Sequence, residues 1–155
     1  DAAASELVAA LAGADVVHVA AHGQHQPASP MFSSLQMADG DVYAHELPTG
    51  EVRAGHVVLS SCDVGTSQVR PGDEPLGLAH TLLSLGVGSV VAAVAPVPDD
   101  ETTQVMADYH IALARGLSSD EALAEAGAGS AFVVLGSSWR RVAENENRPL
   151  FGHGR

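Results

Sequence analysis

The chain has 155 residues, 46% of them apolar, and a formal net charge of −12. That length and composition suit one domain with its own core and exclude wholesale disorder. The acidic balance argues against a nucleic-acid partner, no apolar run reaches the roughly 18 residues of a membrane span, and the single cysteine leaves no internal disulfide, as in a reducing cytoplasm.

The elements alternate along the chain. Residues 2–13 place Leu7, Val8 and Leu11 at helical spacing and end at Gly13, which predicts a short helix. Residues 15–21 form a β-branched apolar strand ending in His22-Gly23. Gln24 to Ser34 is polar and proline-bearing, hence loop. Residues 35–44 alternate around Asp39-Gly40, the signature of a hairpin. A second apolar strand, 56–61, ends at Cys62, and Gln68 to Glu74 is loop.

Residues 75–85 predict a helix with Pro75 in its first turn and Gly86 after its end. Gly86-Val87-Gly88 is too short for a phosphate loop and reads as a turn. Strand 89–94 follows. Asp99 or Asp100 is the expected cap of a long helix, 101–115, closed by Gly116. Ser118 and Glu121 have capping-box spacing before another helix, and 131–135 is a fourth strand. The expected organisation is a single domain over 1–155 with a polar tail at 137–155. Doubly apolar strands separated by helices predict an α/β fold with a mainly parallel sheet covered on both sides.

Reactive groups in such sheets collect beyond the carboxyl ends of the strands. His22 and Cys62 both stand there, and they meet if their strands are neighbours. Imidazole can take the thiol proton, and the thiolate can attack a carbonyl. The backbone N–H groups of Gly23 and Cys62 are candidate oxyanion donors. Ser60, Ser61 and Gly65 leave room for a substrate chain. Taken alone, a buried cysteine is more often a small hydrophobe and a lone histidine more often structural. The pairing at two strand ends is what carries the catalytic reading.

These segments resemble the CHAT domain family of caspase-like proteins. The matching runs are His18-Val19-Ala20-Ala21-His22-Gly23, Val57 to Gly65, Gly72 to Leu78, Leu85 to Val91, and Leu113 to Leu123. They cover about residues 5–135 in order. The resemblance implies a three-layer αβα caspase-like fold and peptidase activity through a dyad of His22 and Cys62. It also implies a protein or peptide substrate and a regulatory or sensor domain or partner. The family's Trp-x-Val-x-Asp stretch is here Ala95-Pro96-Val97-Pro98-Asp99, without the tryptophan. The family domain normally begins upstream, so the chain reads as the dyad-bearing part of a truncated domain. Asp1 opens it without a leader, as in a mature form or an excised fragment.

Other constellations are weaker. His18, His22 and His25 invite a zinc reading, but one sits within a strand and one in a loop, so a shared ligand face is not indicated. No metal or other cofactor is expected. His18 reads as a hydrogen-bonded support for the His22 loop. His45, His56, His80, His110 and His153 have no partner nameable from sequence. Asp63 and Asp99, with Ser61, are candidate pocket residues, and a carboxylate there would select Arg or Lys. Each aspartate is also a natural turn cap. Ser60 and Ser61 lack a nucleophile elbow. The alternative to a peptidase is a catalytically silent CHAT-like assembly module. All seven basic residues are Arg, which with the alanine richness suggests a GC-rich bacterial genome, and the expected compartment is the cytoplasm.

Overall fold

Four helices and seven strands are seen in a computed structural model. It describes residues 2–21, 23–24, 34–47, 50, 52–60, 73–95, 97–129 and 131–141, with backbone alone at 23–24, 44 and 73–76. The elements are α1 (Ala4–Gly13), β1 (Val16–Val19), β2 (Gly23–Gln24), β3 (Ser34–Met37), β4 (Gly40–Tyr43), a 3-10 turn (Ala44–Glu46) and β5 (His56–Leu59). Then come α2 (Asp73–Ser84), β6 (Ser89–Ala93), α3 (Asp99–Ala114), α4 (Ser119–Glu125) and β7 (Phe132–Gly136).

The central sheet has the order β1-β5-β6-β7. β1, β5 and β6 are parallel, and β7 runs antiparallel to β6. β5 and β6 are buried along their whole length, because helices cover both faces. One face carries Val17, Val19, Val57, Leu59 and Val90 against α1 and α2. The other carries Val58 and Val91 against α3 and α4. This is the three-layer α/β arrangement expected. Burying a residue such as Leu11, 1% exposed, contributes roughly 1.5–3 kcal/mol.

α3 is amphipathic at helical spacing, burying Thr102, Val105, Met106, Tyr109, Ala112 and Leu113. Its N-cap is Pro98, so the expected capping role of Asp99 or Asp100 is not realised. Asp99, Asp100 and Glu101 instead fill the first turn, where carboxylates favour the helix dipole. The Ser118–Glu121 box does form. Glu121 Oε2 accepts from Ser118 N–H at 2.9 Å and from its hydroxyl at 2.6 Å.

The hairpin turn falls on Ala38-Asp39, one residue before the expected Asp39-Gly40. The cause is an anchor to α1: Asp39 Oδ1 accepts from Ala4 N–H, and Ala38 N–H donates to Ala2 C=O. β3 and β4 join the two-residue β2 in a small antiparallel sheet. Its Leu35 and Val42 pack into the core on the α1 side.

The chain beyond β7 is docked as far as it is described. Trp139 stacks on His56 with ring centroids 5.3 Å apart, and its carbonyl accepts from Ser119 N–H. Gly55 permits this, since a Cβ there would lie 2.8 Å from the indole nitrogen.

Candidate active site

The site is framed by β1 and β5. They pair in parallel with Val16 opposite His56 and Val19 opposite Leu59. The conditional expectation that the two strands are neighbours is therefore met. Ser60 N–H donates to Val19 C=O, which carries the pairing one residue past β5.

Four of the residues expected at the site, His22, Ser61, Cys62 and Asp63, lie outside the described residues. Gly23 opens β2, its backbone paired with Leu35, at the rim where the small sheet begins. Asp99 is the first residue of α3 and lines a cleft of about 1060 Å³. Val97, two residues before it, is core.

That cleft runs beside β1, between α1 and α3. On its floor is a polar chain. His18 Nε2 lies 2.7 Å from Ser60 Oγ, and His18 Nδ1 lies 2.9 Å from His110 Nε2. His18 reaches α3 because strand side chains alternate, with Val17 and Val19 going to the α1 side. Partial burial holds the His18 pKa below the ordinary value, and neighbouring His110 lowers it further. Burial lowers that of His110 as well. Both rings are therefore neutral near pH 7. Two proton arrangements satisfy the chain. Either Ser60 donates to His18 and His18 to His110, or every donor runs the other way.

The expected support role of His18 thus has two partners, Ser60 and His110, that were not named from the sequence. The helical stripe of α3 carried the signal for His110. Asp99, Thr102, Thr103, Met106, Ala107 and His110 recur at i, i+3, i+4, i+7, i+8 and i+11, and all line the cleft. Among the described residues no group of three His, Cys, Asp or Glu side chains is arranged to hold a metal ion. No described helix is long and apolar enough to cross a membrane.

A sheet of this topology, with its cleft at the carboxyl ends of β1 and β5, defines an α/β protein of the caspase-like class. The CHAT domain model matches residues 1–129, and the chain belongs to the CHAT domain family. That family is peptidase-related and caspase-like. No curated protein matches the chain.

Proposed function

We propose that this domain is a cysteine endopeptidase working through a dyad of His22 and Cys62. The observation that supports it best is the β1–β5 register. Val19 pairs with Leu59, and His22 and Cys62 each follow three residues later along two parallel strands. In this reading His22 takes the Cys62 proton, and the thiolate attacks the scissile carbonyl. The N–H groups of Gly23 and Cys62 hold the oxyanion. His22 then protonates the leaving amine, and water releases the acyl group from Cys62. Asp99, at the cleft, and Asp63 are the candidate selectors of a basic side chain, with Ser61 leaving space beside it. The substrate is a protein or peptide in the cytoplasm, and a regulatory or sensor domain or partner controls access.

The experiment is proteolysis of a protein substrate by the chain and by Cys62→Ala. Loss of cleavage with an unchanged circular dichroism spectrum supports the reading, and undiminished cleavage overturns it. Thiol alkylation separates it from a silent assembly module. A dyad cysteine alkylates faster than a free thiol near neutral pH, and His22→Ala slows it. A free-thiol rate that is indifferent to His22 favours the silent module.

A further inference from the structure

Each strand has two hydrogen-bonding edges, and β1 uses one. The carbonyls of Asp15 and Val19 accept from β5 and its flanks, through the N–H groups of Gly55, His56 and Ser60. By alternation the N–H and C=O groups of Val16, His18 and Ala20 point to the opposite edge. Among the described residues no hydrogen bond reaches them, and β1 is the last strand of its sheet. Only an extended backbone can satisfy such a row.

The cleft of about 1060 Å³ lies along this same edge, and its two walls differ. Leu7 and Ala10 of α1, with Met37 of β3, make one wall apolar. Thr102, Met106 and His110 of α3 make the other. Thr102 is 9% exposed, and its buried hydroxyl has no hydrogen-bond partner among the described residues. A hydroxyl or amide entering the cleft would supply one. A strand laid beside β1 sends alternate side chains to the two walls, aliphatic ones to α1 and hydrogen-bonding ones to α3.

Charge selects the occupant. The carboxylates lining the cleft are Glu6 and Asp99, each in the first turn of its helix and so at the carboxyl end of the strands. No Arg lines it. A second copy of a chain carrying −12 would set like charges together. A strand with Lys or Arg at that end complements them.

We propose that the outer edge of β1 is a docking site for an extended, basic-flanked strand of a partner protein, which joins the sheet beside β1 between α1 and α3. This is strand addition, with the main chain giving affinity and the two walls giving specificity. It does not depend on the cysteine-peptidase reading, and its test reads no activity.

The probe is a synthetic peptide in which valine alternates with threonine between lysines. The control carries a proline at its centre. Amide exchange is followed by NMR in the 155-residue chain. With the peptide at about ten times its Kd, exchange at Val16, His18 and Ala20 slows about tenfold, while Val17 and Val19 change little. The proline control gives no protection. Glu6→Lys with Asp99→Lys weakens binding by roughly two- to tenfold. Absence of protection, or equal protection by the proline peptide, overturns the proposal. So does protection that grows with protein concentration alone, because a second copy then fills the edge.

Discussion

The imidazole of His56, at the start of β5, and the phenol of Tyr109, on α3, meet at 2.7 Å, and both side chains are fully buried. The bond joins the sheet to the helix that walls the cleft. Removing the hydroxyl leaves a buried ring nitrogen unpaired, which costs about 1–3 kcal/mol. Tyr109→Phe should therefore lower the urea midpoint with little change in slope. An unaltered midpoint would show that the bond contributes nothing.

Burial takes the His56 pKa from 6.5 to about 4, with Ser89's backbone opposing and His110 assisting. The folded state therefore refuses a proton that the unfolded state accepts. Stability from this group is complete above pH 6.5 and is lost as pH falls from 6.5 toward 4, by roughly 3 kcal/mol in all. The lowered values of His18 and His110 act in the same direction. Urea unfolding between pH 7 and 5, above the carboxylate range, should show a decline. His56→Phe should flatten it, and equal slopes in the two proteins would count against burial as the cause.

The second cause of the low His18 pKa is His110, so His110→Ala should raise the His18 titration midpoint toward the ordinary value. Imidazole proton shifts followed by NMR read this directly. A midpoint that stays put, or falls, would mean that the 2.9 Å contact is not formed in solution.

Gly136 closes β7 at φ +86°, and a Cβ there would lie 2.5 Å from Gly88 C=O and 2.8 Å from Leu83 Cδ2. Gly136→Ala should cost more than about 2 kcal/mol, since left-handed backbone and collision add. Gly127→Ala, at φ +70° with no atom within 4 Å, should cost about 1–2 kcal/mol. Thermal melts of the two variants should rank them in that order, and equal losses would remove the clash from the account.

Much of the sheet was legible because its strands are short apolar runs between glycines and polar turns. Val16–Val19, His56–Leu59 and Ser89–Ala93 all fall inside the predicted spans. β2 was not legible. Its two residues carry no alternation, and they pair only because β3 is there to receive them. The direction of β7 was equally hidden, since Phe132 to Leu135 reads the same in a parallel or antiparallel ladder. α3 begins two residues before its predicted start because Pro98 accepts the first intrahelical bond, from Thr102 N–H.

At the site, the sequence offered His18 as a support without saying what it supports. Its partners are 42 and 92 residues away, a distance that local patterns do not span. Trp139 shows the same limit. A stretch that looks polar by composition holds a ring that stacks on His56.

That ring bears on where this domain can be cut. The match to the CHAT family ends at residue 129, yet β7 and Trp139 lie after it. A fragment stopped at the family boundary would strip β6 of its antiparallel neighbour and bare the His56 ring beneath Trp139. The unit that folds is thus longer than the unit that is recognisable by kinship, and its last stabilising contact comes from a segment outside the family match.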